Sequence, residues 1–251
     1  MYGNKKYIDA LVRCQNCKFI FQDPIIKDGS NYEMASISKY LALSKYRKQY
    51  FSKIKNTITE KYLLKNPKTI LDLGAGSGEW LDIWADLEMH ATEINPELIK
   101  ILTAKNVHTY KALSAINKKF DIISAFDFLE HVNNPNNLLK TIVEKSNDKT
   151  LFVFGVPNMG NLPAKIFRTR YYLYCPMHYS YFNELSLRLI LEKYLDNVYV
   201  LKAPRMRSDI NGVLKWITKD KFRIKSKLSI PIGYSASLIA FGFAKETNFN
   251  E

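Results

Sequence analysis

Three glycines at alternate positions, Gly74, Gly76 and Gly78, follow a short apolar run, Ile70 to Leu73, and precede an amphipathic one, Trp80 to Ala85. The first run reads as a buried strand and the second as a helix. Strand, glycine turn, helix is the layout in which a ligand rests on backbone amides at the carboxyl end of a parallel sheet. The spacing narrows the choice of ligand. A dinucleotide fingerprint, G-x-G-x-x-G, would put its third glycine at position 79. Glu79 stands there, and its carboxylate would repel a pyrophosphate. No Gly-Lys-Ser/Thr follows, so a phosphate-binding P-loop is excluded as well. Glu93 ends the next apolar run. An acid at the tip of a second strand can accept hydrogen bonds from both hydroxyls of a ribose.

A second block carries chemistry of another kind. The apolar run Phe120 to Ala125 leads into Phe126-Asp127-Phe128-Leu129-Glu130-His131-Val132 and, after two asparagines, Pro135. The block sits where a sheet strand ends, and ligands bind at that edge. An imidazole with a near-neutral pKa can serve as general base for a hydroxyl. The alternative is that Glu130 and His131 only hold the loop by hydrogen bonds.

Taken together, the two blocks resemble class I S-adenosyl-L-methionine (AdoMet)-dependent methyltransferases, of the small-molecule, sugar-modifying type. The likeness covers about residues 30 to 245. D-L-G-A-G-S-G is similar to the family's AdoMet loop, which holds a zwitterionic amino acid end. D-F-L-E-H-V is similar to its D-x-L-E-H-V segment. The resemblance implies an α/β fold, a Rossmann-like doubly wound sheet of seven strands. It implies AdoMet at Asp72, Gly74, Ala75, Gly76, Gly78, Glu93, Ile94 and Phe126, with S-adenosyl-L-homocysteine (SAH) as product. His131 and Glu130 would face the acceptor as the catalytic pair.

His178 and Phe182, ahead of Ser186-Leu187, are similar to the family's H-x-x-x-F before a helix. His178 and Tyr179 are therefore substrate candidates. Enzymes that methylate base amino groups resemble one another in [DN]-P-P-[YF]; Phe126-Asp127-Phe128-Leu129 departs from it. Many relatives carry an acid after the third strand. Here the run is Lys111-Ala112-Leu113-Ser114, which leaves the adenine to backbone groups or Ser114.

The elements that must position these residues fit one domain of 251 residues, 47% hydrophobic. Residues 67–251 read as the methyltransferase core. Residues 31–66, helical in period, resemble the preface that lies across the AdoMet pocket in related enzymes, and the resemblance would put Tyr32, Tyr40 and Arg47 near cofactor or substrate. Residues 1–30 read as a small hairpin with Cys14-Gln15-Asn16-Cys17. Tetrahedral zinc needs four ligands, and no second Cys-x-x-Cys follows, so a metal-free turn is expected there and no metal site elsewhere. The basic stretch 202–227 reads as an insertion or lid, in which Arg205 and Arg207 can clamp a phosphate.

There are 37 Lys and Arg against 24 Asp and Glu, a formal charge of +13. Such a balance suits nucleic acid, an anionic surface or phosphorylated substrates. Three cysteines, an odd number, fit a reducing compartment. The start lacks an apolar signal region, and no apolar stretch is long enough to span a membrane. A cytoplasmic enzyme is expected. It would methylate an oxygen of a small anionic or sugar-type acceptor, in surface polysaccharide or natural-product biosynthesis. A nucleic-acid methyltransferase and a catalytically silent AdoMet-binding subunit are the alternatives. The oligomeric state is not written in the sequence.

Overall fold

The computed structural model describes residues 9–25, 37–62, 66–171, 173–204, 207–209, 229–231 and 236–245. In chain order the strands are β1 (Leu11–Arg13), β2 (Ile20–Gln22), β3 (Thr69–Leu73), β4 (Glu88–Thr92), β5 (His108–Tyr110) and β6 (Phe120–Phe126). Then come β7 (Ser146–Pro157), β8 (Ser180–Tyr181), β9 (Leu195–Lys202), β10 (Arg207–Asp209), β11 (Ser229–Pro231) and β12 (Ser237–Ala244). Seven of them make one mixed sheet, in the order β5-β4-β3-β6-β7-β12-β9. Strands β3 to β7 pair in parallel, and β12 runs antiparallel between β7 and β9. This is the expected doubly wound architecture.

The parallel strands are buried on both faces, so they read as near-continuous apolar runs. One apolar cluster includes Leu71, Phe120, Phe152, Phe154 and Leu187. A second includes Ile54, Ile70, Trp80, Val153 and Phe241. Strand neighbours Phe152 and Val153 fall in different clusters because alternate side chains point to opposite faces.

Helix starts follow from asparagines. In Pro96–Ala104 the cap Asn95 accepts from the amides of Glu97 and Leu98, with proline at the first position. Pro135–Val143 repeats the device with Asn134, and Glu184–Leu191 has a reciprocal Asn183–Ser186 capping box. Each cap satisfies amides that a helix start leaves orphaned.

Two expected elements differ. The helix after the glycine turn covers only Glu79–Asp82. The chain must double back at once so that the Glu88 amide can bond the Lys68 carbonyl at 2.8 Å and open β4 beside β3. The helix expected after Phe182 ends at Leu191, because Leu195, only 1% exposed, already pairs with Ala244 in the sheet.

The preface comprises helices Ile37–Ala42 and Ser44–Lys61. The N-terminal hairpin does not stand apart. Strand β2 pairs with β8, and Gln22 Nε2 donates to the carbonyls of Pro176 and His178, each at 2.9 Å. Of the basic insertion, the described parts are residues 202–204 and the β10–β11 pair; Arg205, the side chain of Arg207 and residues 210–228 lie outside the described residues, as does Tyr32. Among the described residues no helix is long and apolar enough to cross a membrane.

Phe152 is fully buried at the centre of its cluster. Phe152→Ala is expected to lower unfolding free energy by about 3–5 kcal/mol, read by denaturant titration.

Candidate active site

The glycine turn leaves β3 at the sheet's carboxyl edge. Gly74 has φ +67°, and a Cβ there would lie 2.5 Å from the Phe128 ring. Gly78 has φ +80°, and a Cβ there would lie 2.8 Å from Leu102. Both the backbone angle and the close neighbour therefore call for glycine. The amides expected to face a ligand are mostly used inside the protein. Those of Gly74 and Ala75 bond the Thr92 carbonyl at 2.9 and 3.1 Å, and that of Gly78 bonds the Ala75 carbonyl. The turn thus offers close approach more than free donors. The amide of Gly76 is used too, but on a side chain at the rim: it donates to Glu93 Oε2 at 3.0 Å.

Glu93 stands one residue beyond β4. Its other oxygen accepts from the amides of Ile94 and Asn95 at 2.8 and 2.9 Å. Backbone amides thus fix its carboxylate at the rim. Asp72, 3% exposed, lies beneath the turn and accepts from the Ser124 hydroxyl at 2.7 Å. Burial pushes its pKa up to about 7 against that hydrogen bond, with Glu93 and Glu79 adding repulsion.

Glu79, only 2% exposed, is held by Arg47 and by the Ser77 hydroxyl, each at 2.6 Å. Burial alone would raise its pKa, but Arg47 and Ser77 outweigh it and leave the carboxyl below its ordinary value. The preface helix therefore locks the turn. It also packs Phe51 on Phe126 and Trp80, at ring separations of 4.8 and 5.6 Å.

Beyond β6 the backbone turns sharply at Asp127, φ +49°, and enters a 3-10 turn, Leu129–His131. Asp127 is open to solvent, yet the protein walls around it raise its carboxyl to about 6, opposed by Arg47. Glu130 is 1% exposed, and among the described residues neither carboxyl oxygen has a hydrogen-bond partner. Burial, and then the neighbouring Asp127 charge, push its pKa well up.

His131 Nδ1 lies 2.9 Å from the Met177 carbonyl. A carbonyl only accepts, so Nδ1 carries the hydrogen and Nε2 the lone pair. Burial lowers its pKa, so the ring is neutral at pH 7. His178 is 8% exposed, packs edge-on against it at 4.7 Å, and is tied in the same way to the Leu173 carbonyl. Burial, then His131, lower its pKa to about 4. The Tyr179 amide bonds the Glu130 carbonyl at 2.8 Å and joins the two loops.

A methyltransferase-domain family model matches residues 43–194, more than half of the chain. The chain belongs to that family. Solved structures share its fold. A SAM-dependent methyltransferase from Archaeoglobus fulgidus is 21% identical over 82% of this chain and 99% of its own, TM-score 0.53. The plantazolicin methyltransferase in complex with SAH is 14% identical over 86% and 91%, TM-score 0.57. A SAM-dependent methyltransferase from Thermotoga maritima is 14% identical over 82% and 95%, TM-score 0.54. No curated protein matches the chain. These likenesses support the AdoMet-dependent class I fold and say nothing of the acceptor.

In this methyltransferase the sequence-derived candidates fall into two groups at one sheet edge. Asp72, the glycine turn, Glu93 and Ile94 follow β3 and β4; Phe126 ends β6, and Glu130, His131, His178 and Tyr179 gather beyond it. Arg47 was expected near cofactor or substrate, and its described contacts are with Ser77 and Glu79. Sequence reasoning missed the Lys105 ammonium, which bonds the Ser77 carbonyl at 2.6 Å and Asp82 at 3.0 Å. No pattern in the sequence marks it. Cys14 and Cys17 flank a tight turn; among the described residues no His, Asp or Glu joins them as a third ligand.

Glu130 yields a pH prediction. Its folded pKa is raised, so above the ordinary carboxylate range the unfolded chain sheds a proton that the fold retains, and rising pH favours unfolding. Glu130→Gln has no such proton. In buffer with a chelator, its melting temperature relative to wild type is expected to be higher at pH 8 than at pH 5. Differential scanning calorimetry reads the comparison.

Proposed function

We propose that the protein transfers the methyl group of AdoMet to an oxygen of a small polar acceptor, sugar-type or phosphate-bearing. The observation that carries the cofactor half is Glu93. Three backbone amides pin its carboxylate at the rim, one of them from the bare turn at Gly76. A ribose lying there would meet a fixed double acceptor for its two hydroxyls. The turn fits AdoMet because Gly74, Gly76 and Gly78 all take positive φ angles, which keeps its surface bare of side chains. Asp72, its pKa pushed up to about 7 by burial, would ionise more readily with the ammonium of the amino acid end beside it. Ile94, 68% exposed, offers an apolar platform to the adenine. Phe126 borders the methionine end.

Bound AdoMet supplies a methyl activated by its sulfonium. What remains is the work of the chain. It must hold the acceptor oxygen in line at near contact and receive its proton. His131 suits the second task, with a neutral ring and a defined Nε2 lone pair. Glu130 is buried and favours its protonated form, so we do not assign it to proton removal.

A cleft of about 1000 Å³ opens past the end of β7, lined in part by Arg13, Lys18, Lys165, Arg168 and Lys202. None of its lining residues comes from the glycine turn or from residues 127–131. It supports an acceptor whose anionic part extends away from the reacting end. Such acceptors occur in surface polysaccharide and natural-product biosynthesis.

The test is transfer of labelled methyl from AdoMet to a panel of nucleotide-linked sugars and phosphorylated small molecules by the purified chain. Label in at least one member is expected; none in any would refute this acceptor class. His131→Ala is expected to lower kcat by about 10²–10⁴ while SAH affinity stays near wild type. The acid limb of the wild-type pH profile should lie below about 6.5, the ordinary histidine value, in line with the lowered pKa.

A further inference from the structure

Glu130, His131 and His178 bring a carboxylate oxygen and two ring nitrogens within 4.8 Å of one another. Each is set as a ligand would be. Both histidines give Nδ1–H to backbone carbonyls, of Met177 and Leu173, at 2.9 Å. The lone pair of each neutral ring is therefore on Nε2. Metal-binding histidines are oriented by this kind of outer hydrogen bond. The carboxyl is buried, and neither oxygen has a hydrogen-bond partner among the described residues. An unpartnered carboxylate is costly in a protein interior and is relieved by an ion.

We propose that Glu130, His131 and His178 bind a divalent transition-metal ion of the zinc type. Two histidines and a glutamate make a three-ligand zinc set with one position left open. A tetrahedral ion about 2.1 Å from each ligand requires ligand atoms about 3.4 Å apart, so separations of up to 4.8 Å close by at most about 1.4 Å around it. Imidazole donors favour zinc or its transition-metal neighbours over magnesium or calcium.

A second group, Glu88, His90 and His108, does not carry the same inference. Glu88 is already held by Lys118 at 2.6 Å and by His90 at 2.9 Å. The other nitrogen of His90 meets the Tyr110 hydroxyl at 3.2 Å.

The proposal rests on the assignment of this end of the pocket to the acceptor. His131 acts as base in the metal-free protein. With an ion bound it is a ligand, and the acceptor's hydroxyl proton leaves to solvent instead.

Chelator-stripped full-length protein would be titrated with Zn²⁺ and with Co²⁺ by calorimetry, with visible spectra of the Co²⁺ form. SAH would be titrated into the same samples. One ion per chain is expected, with Kd raised at least about tenfold in Glu130→Gln and in His178→Ala. His178→Gln replaces the alanine variant should that fail to fold. Cys14→Ser with Cys17→Ser should bind the ion like wild type. Three results would overturn the proposal: no ion bound by wild type, unchanged affinity in both ligand variants, or a thiolate-to-cobalt band placing the ion at the cysteines. Ion binding without SAH binding would uphold the metal site and sink the cofactor assignment; SAH binding without an ion would do the reverse.

Discussion

The reversal of strand order between β3 and β6 governs this molecule. From β3 the chain winds outward to β4 and β5, and from β6 it winds the other way to β7. Loops leaving β3 and β6 must turn apart, and the sheet's carboxyl edge opens there. The chemistry-bearing groups cluster at that opening: the glycine turn follows β3, Glu93 follows β4, and Asp127 to His131 follow β6. Apolar clusters on both faces clamp the strands, so the edge is rigid while its loops differ in composition.

Buried charge separates structure from function along this edge. Glu79 is buried but fully provided for by Arg47 and Ser77. That ion pair ties the preface helix to the turn and belongs to architecture. Asp72, Asp127 and Glu130 have carboxyls pushed upward, in each case first by burial. Of these, Glu130 has no hydrogen-bond partner for its side chain among the described residues. Proteins seldom keep such a group for stability, and perturbed carboxyls concentrate where ligands bind. Two histidines held neutral beside it sharpen the point.

Much of this was legible in the sequence because local chemistry set it. Glycine spacing, the acid at Glu93 and the run Asp127 to His131 are short-range signals, and each lies at the strand end where the pattern puts it. The caps at Asn95-Pro96 and Asn134-Pro135 are local chemistry of the same kind. Long-range pairings were not legible. Arg47 meets Glu79 only because a helix crosses the sheet edge. His178 meets His131 only because the N-terminal hairpin, through Gln22 and β2, holds the loop in which it lies. The truncation of the helix after Gly78 also came from tertiary demand, since Glu88 must begin pairing beside Lys68. Periodicity carries no trace of such constraints.

The central claim is that one carboxylate, pinned by backbone amides at the sheet edge, grips the nucleoside of the methyl donor. Calorimetric titration of SAH into wild type and Glu93→Ala tests it most directly. Loss of hydrogen bonds to a charged group, worth about 1.5–3 kcal/mol, predicts binding by wild type and an affinity roughly 10- to 150-fold weaker in the variant. Equal affinity in the two proteins, or none in wild type, would contradict the account.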